Sequence, residues 1–180
     1  MRFVSLALLT IAAMPGAAPA QQAQQHMHGS MGGVAAVQPL YGRLKDLYVR
    51  SAELMPEEHY GFKPAPEVRT YGQVLGHVAN ENYLFCAAAK GEENPNKADF
   101  EKTTGKAALV KALKESFDYC DPAYRMDEMK AMEEVTFFGN KGSRLWVLIF
   151  NATHDSEHYG NIVTYLRMKG LVPPSSQGGQ

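Results

Sequence analysis

Four segments of this chain repeat their apolar residues at helical spacing, and a proline or glycine follows each of them. The periodicity predicts helices over about 39–56, 70–91, 104–120 and 143–168. No segment alternates apolar and polar residues convincingly, so the sequence predicts an all-α protein. Four long helices in one domain favour a four-helix bundle, an architecture that places metal sites on facing helices of its core.

The links between these helices carry signals of their own. Thr70 and Gln73 have the spacing of a capping box at the start of the second helix, and Gly91 is placed to end it. Asp127 is suited to cap a short helix, and residues 135–139 favour an extended conformation. If neighbouring helices run parallel, the long links at about 57–69 and 121–142 would serve as the crossovers.

The first twenty residues have the pattern of a secretory signal peptide. Arg2 precedes an apolar run that ends in the cleavage signal 18–20, APA, so we predict removal of residues 1–20 and export to the periplasm or the medium, with no stable membrane anchor left. Gln, Gly and Ala dominate residues 21–38 and predict a disordered leader. The bundle would then occupy residues 39–174, and 175–180 would form a flexible tail.

The charge balance bears on whether the chain binds nucleic acid, and the two cysteines bear on whether it contains a disulfide. The chain has 18 Lys and Arg against 19 Asp and Glu, which gives no reason to expect a nucleic-acid partner.

If the second and third helices form a hairpin that turns near residue 97, Cys86 and Cys120 would lie ~18 Å apart. A disulfide needs Cα atoms within ~7 Å. We therefore expect two buried free thiols, although an oxidising compartment favours a bridge.

The fourth helix contains the clearest candidate for chemistry. His154 and His158 lie four residues apart, which places them about 40° apart on one helical face. Two imidazoles in this arrangement can bind one metal ion without distorting the helix. The same face carries three polar residues that we predict to support the pair: Asn151, Asn161 and Tyr165.

His77, in the middle of the second helix, lies among apolar and small residues and is expected to face inward. Together with the pair on the fourth helix it would complete a three-histidine metal site, which leaves coordination positions open for water or substrate. Glu81 lies one turn after His77 on the same face and is our preferred general base. Asp155 and Glu157 remain alternative bases.

Two other interpretations of these histidines stay open. Residues 154–158 match the inverted zincin pattern H-x-x-E-H, but no Asp or Glu follows His158 to supply a third ligand. The histidines could also simply pack in the bundle, with their polar atoms satisfied by neighbouring side chains.

Three motifs resemble the DinB/YfiT-like superfamily, and the resemblance covers about residues 40–174. The segment AELMPEEHYGFKP is similar to the family's first helix and following link, RTYGQVLGH to its second-helix motif, and HDSEHYGN followed by YLR to its last-helix motif. The resemblance implies a four-helix bundle with one divalent metal ion, often zinc or nickel, bound to three histidines. At the matching positions of this chain these are His77, His154 and His158.

Some characterised members of this superfamily are thiol-dependent transferases that use cytoplasmic thiols, or maleylpyruvate isomerases. An exported protein is separated from those thiols, whereas hydrolysis by metal-activated water is available in any compartment. We therefore predict a metal-dependent hydrolase acting on an unknown small molecule. A non-catalytic divalent-metal-binding or stress-associated module is the alternative, a thiol-dependent transferase is less favoured, and a homodimer is compatible with all three.

Overall fold

A computed structural model of the protein describes residues 32–178 and contains four long helices. They are α1 (Gly33–Leu54), α2 (Tyr71–Lys90), α3 (Lys106–Cys120) and α4 (Arg144–Met168). The prediction of an all-α four-helix bundle is confirmed. The predicted signal peptide and most of the predicted leader lie outside the described residues, as do the last two residues of the chain. Within 32–178, no helix combines the length and apolarity needed to cross a membrane.

Helices α2 and α3 run parallel, and the link between them is the crossover of the bundle. Gly72 near the start of α2 lies beside Leu109 near the start of α3, and further along Asn82 donates to Ser116 at 3.2 Å. Residues 91–105 therefore return along α2 before α3 begins. The links at 57–69 and 121–142, which would have been the crossovers between parallel neighbours, instead join antiparallel helices that pack little against each other.

The parallel arrangement brings the two cysteines together, so the expectation of free thiols is wrong. Cys86 and Cys120 form a buried disulfide whose Cα atoms are 5.3 Å apart. The separation of ~18 Å expected from the sequence assumed an antiparallel hairpin, in which the two residues would lie at different heights. Because the crossover returns to the start of α2, Cys86 and Cys120 lie at the same height instead.

Helix α1 begins at Gly33, six residues before the predicted start, so the prediction of a disordered leader is wrong for residues 33–38. The side chains of Val34 and Val37 are buried in line with Tyr41. The Glu128 carboxylate accepts the first free amides of the helix, including that of Val34 at 3.0 Å. These contacts stabilise a helical start that the composition of the segment does not favour.

The predicted flexible tail is likewise ordered through residue 177. Arg50 donates to the side-chain oxygen of Gln177 at 2.7 Å, and Arg167 donates to the hydroxyl of Ser176 at 3.1 Å. Pro174 is buried. These contacts hold the end of the described chain against α1 and α4.

The link between α3 and α4 contains a helical turn and a β-hairpin. Asp127 caps the turn Glu128–Ala131, as predicted. Strand β1 (Glu134–Phe137) pairs antiparallel with β2 (Asn140–Ser143). The second strand, with sequence NKGS, has no β-forming residues and was not predicted, because its conformation depends on pairing with β1.

Candidate metal centre

His77 of α2 and His154 and His158 of α4 meet on one side of the bundle, where the two helices pack antiparallel. One ring nitrogen from each histidine lies within 4.8 Å of the others. The ring centroid of His77 is 5.2 Å from that of His154 and 4.7 Å from that of His158. All three side chains are partly buried. We call these residues the histidine cluster; the structure brings together all three predicted metal ligands.

Glu101 orients His77. Its carboxylate oxygen lies 2.8 Å from Nδ1 of His77, and Arg69 binds the same carboxylate at 2.9 Å. Burial raises the pKa of Glu101, but the hydrogen bonds from Arg69 and His77 outweigh it and hold the pKa below its ordinary value. A carboxylate that accepts the Nδ1 proton leaves the Nε2 lone pair of His77 free to bind a metal.

The crossover carries Glu101 to this position, and Gly76 makes the approach possible. A Cβ atom on Gly76 would lie 2.2 Å from the carbonyl oxygen of Phe100. Asn80 accepts a hydrogen bond from the amide of Phe100 at 3.0 Å, and Asp99 caps the 3-10 turn that contains Glu101. Sequence analysis missed Glu101, because no periodicity or motif connects it to a histidine 24 residues earlier.

His154 and His158 are held in the neutral form that metal binding requires. Burial, followed by the nearby His158 and His77, lowers the pKa of His154 from 6.5 to about 4. Burial and His77 also lower the pKa of His158. Neutral imidazoles keep a lone pair available at neutral pH, so the electrostatics of the cluster favour binding of a metal cation.

The geometry of the two histidines of α4 fits a shared metal ion. Their Nε2 atoms face each other at 3.2 Å. Two ligands of a tetrahedral ion at ~2.0–2.1 Å lie ~3.3 Å apart. The Nδ1 atom of His154 is buried and has no hydrogen-bond partner among residues 32–178. The ring is thus held by packing and by its approach to His158, and the three histidines fit a divalent cation.

One of the three predicted supporting residues lies in contact with the histidine cluster. Asn161 lies against His158, with 3.3 Å between its side-chain nitrogen and Nδ1. If His158 binds a metal through Nε2, Nδ1 carries the proton, and the Asn161 amide must turn its oxygen toward the ring. This contact can fix the orientation of the ring.

The other two predicted supporting residues make different contacts. Asn151 is buried in the core, where it donates to Asn82 at 3.3 Å and to Asp155 at 3.1 Å, so its predicted place beside the histidines is corrected. The Tyr165 hydroxyl donates to the carbonyl of Arg69 at 2.8 Å. Tyr165 therefore holds the backbone of Arg69, which binds Glu101, and makes no hydrogen bond to a histidine of the cluster.

The three candidate general bases lie in different surroundings. Glu81 is half-buried beside the cluster, and burial raises its pKa although His77 opposes the shift. Asp155 faces the core and is fully buried, which raises its pKa well above the ordinary value. Glu157 is exposed. Of the three, only Glu81 combines a position on the face of His77 with a pKa shifted toward neutrality.

Comparisons with known proteins agree with the fold, and the matched family model spans all three histidines of the cluster. A family model described as the DinB superfamily matches residues 41–162. A DinB-like protein from Bacillus cereus superposes with a TM-score of 0.66 at 16% identity, covering 76% of this chain and 91% of that one. A DinB-like protein from Bacillus subtilis gives 0.58 at 21% identity, covering 75% and 92%.

One of the similar structures is an enzyme with a named activity. A mycothiol-dependent maleylpyruvate isomerase superposes with a TM-score of 0.59 at 19% identity, covering 72% of this chain and 60% of the isomerase. No curated protein matches the chain. At these identities the likeness to solved structures concerns the fold.

Proposed function

Because this chain belongs to the DinB superfamily, we propose that its histidine cluster binds one divalent metal ion, zinc or nickel, and that the protein is an exported metal-dependent hydrolase of small molecules. The observation that carries the proposal is the convergence of His77, His154 and His158 within 4.8 Å, with Glu101 orienting the first of them. Three histidine ligands leave part of the coordination sphere open, as in catalytic zinc sites.

The residues around the cluster have distinct roles in this proposal. A divalent cation held by His77, His154 and His158 would supply a Lewis acid that can activate water for attack at neutral pH. Glu81, on the same face of α2 as His77, accepts the proton of the attacking water. Its raised pKa brings its basicity closer to the operating pH, which favours proton transfer in both directions. Glu101 and Arg69 keep the ring of His77 in one orientation.

Export is part of the proposal and agrees with the disulfide. Structural disulfides persist in oxidising compartments and are rare where cytosolic thiols keep cysteines reduced. A buried Cys86–Cys120 bridge therefore supports an extracytoplasmic location, as does the signal-peptide pattern of residues 1–20. The same location disfavours a transferase that depends on a cytoplasmic thiol.

The alternative function is a non-catalytic metal-binding module. One observation favours it: Glu101, the carboxylate bonded to the cluster, is already engaged by Arg69 and His77 and is not free to act as a base. The choice between enzyme and module therefore depends on Glu81.

Metal analysis of protein purified without chelator or nickel affinity resin tests the proposal. We expect about one zinc or nickel ion per chain, lost in the double variant His154→Ala/His158→Ala. His59→Ala removes a histidine of the 3-10 turn Glu57–His59, outside the cluster, and should keep the metal. Metal retained by the double variant would exclude the proposed site.

Glu81→Gln separates the two functions, because it removes the base and leaves the three histidines in place. For an enzyme, the variant should keep its metal and lose at least about a hundredfold in activity on a panel of esters and amides. Wild-type protein that binds metal stoichiometrically but cleaves nothing in the panel would favour the binding module.

A further inference from the structure

The tip of the β-hairpin places a phenylalanine in a conformation and an environment that both disfavour it. Phe138 has a φ of +47°, in the left-handed region that bulky residues rarely adopt, and it is followed by Gly139 at +76°. Its side chain is 63% exposed. A glycine or asparagine would suit this turn better, and a polar residue would suit the exposure better. Backbone strain and an exposed ring coincide here at one residue, a combination often found at functional sites.

Phe138 belongs to a continuous group of rings that reaches the histidine cluster. Its ring centroid is 4.2 Å from that of Phe137 and 6.2 Å from that of Phe150. The Phe150 ring is stacked on His154 at 6.4 Å, with 17° between the planes. Phe85 meets the same histidine edge-on at 5.2 Å. We call Phe85, Phe137, Phe138 and Phe150 the aromatic wall.

The opposite side of the histidine cluster is charged. Arg69 and Glu101 lie beside His77, whereas Glu81 lies one turn further along α2, between His77 and Phe85. The cluster thus lies between polar groups on one side and the aromatic wall on the other. A molecule bound at the histidines would extend along the wall with its apolar part.

We propose that the substrate of this site carries an aromatic ring next to its metal-binding group, and that Phe138 and Phe150 bind that ring. This inference rests on the proposed metal site and adds the chemical class of the substrate. Most ring pairs of the wall pack at steep angles, such as the 72° between Phe138 and Phe150, and only Phe137 and Phe138 are closer to parallel. A further ring can join such a group edge-to-face, a contact that an aliphatic group of similar size cannot reproduce.

Three hydroxamates with the same metal-binding head test the inference on cobalt-substituted protein. Acetohydroxamate carries the head alone, phenylacetohydroxamate adds an aromatic ring, and cyclohexylacetohydroxamate adds an aliphatic ring of similar size. The visible spectrum of the cobalt reports binding of the head. Fluorescence of Trp146, the single tryptophan, reports binding at the wall, because its ring lies 5.8 Å from that of Phe137.

We expect the phenyl probe to bind roughly fivefold more tightly than the cyclohexyl probe, the advantage typical of an edge-to-face contact. In Phe138→Gly this preference should fall to about one. The same substitution removes the ring's packing as well as the backbone strain, so we compare it with Phe138→Ala, which removes the ring alone; the glycine variant should be the more stable of the two. A merely structural role for Phe138 would leave the phenyl preference unchanged in both variants. The matched control Ile149→Ala, an exposed apolar residue next to Phe150, should keep the preference.

Three results would overturn the inference, and they do so in two distinguishable ways. Equal affinity for the two ring probes, or a phenyl preference that survives in Phe138→Gly, would show that the wall does not select aromatic ligands, while the metal site would stand. If acetohydroxamate leaves the cobalt spectrum unchanged, the proposed open metal site fails, and the substrate class fails with it.

Discussion

Breaking the Cys86–Cys120 bridge should destabilise the whole bundle by an amount that follows from its place in the chain. The bridge closes a loop of 34 residues. The loop-entropy relation gives a loss of about 13 cal/mol/K for the unfolded chain, or about 4 kcal/mol at room temperature. For a domain of this size the melting temperature should fall by about 10 °C. Both sulfur atoms are buried in the core, so the folded state can keep its packing after reduction.

Urea unfolding followed by circular dichroism, with and without a phosphine reductant, measures this effect. Reduction should lower the free energy of unfolding and raise its dependence on urea, because the unfolded chain without its bridge exposes more surface. The variant Cys86→Ala/Cys120→Ala controls for other effects of the reductant, since its stability should not respond to it. Two alkyl groups on unreduced, denatured wild-type protein, or equal stability in both conditions, would refute the reasoning.

Glu101→Gln should weaken metal binding by about ten- to a hundredfold, because the amide holds the Nδ1 proton of His77 less strongly than the carboxylate does. Competition with a chromophoric chelator measures the affinity, and Lys102→Gln, an exposed neighbour, is the control. Equal affinities of the two variants for the metal would show that Glu101 does not contribute to the site. Without metal, the free energy of unfolding should fall as the pH is lowered from 6.5 toward 4. His154 and His158 have lowered pKa values in the folded state, so over this range the unfolded chain binds more protons. The same slope in the variant lacking both histidines would contradict this cause.

Several features of the fold could be predicted from the sequence because they depend on neighbouring residues. The capping box of Thr70 and Gln73 and the left-handed Gly91 are present as predicted. Both signals act within one or two turns of a helix, where the backbone geometry is nearly fixed. The pairing of His154 and His158 on one face follows from the helical period alone.

Other features depend on the tertiary structure, because they join segments with no sequence relation. The direction of residues 91–105 decides whether α2 and α3 are parallel, and nothing in the link encodes it locally. That one choice places Cys86 beside Cys120 and Glu101 beside His77. The early start of α1 likewise depends on a carboxylate far along the chain, at Glu128.

The sequence by itself determined where the four long helices lie, apart from the first residues of α1, and which three histidines are available to a metal, through periodicity and end signals that act over a few residues. Only the tertiary structure decided which carboxylate orients His77 and which rings surround His154. These neighbours come from a crossover and a hairpin whose positions are set by burial of apolar surface across the whole bundle. That driving force is non-directional, so short-range sequence patterns cannot specify the contacts it creates.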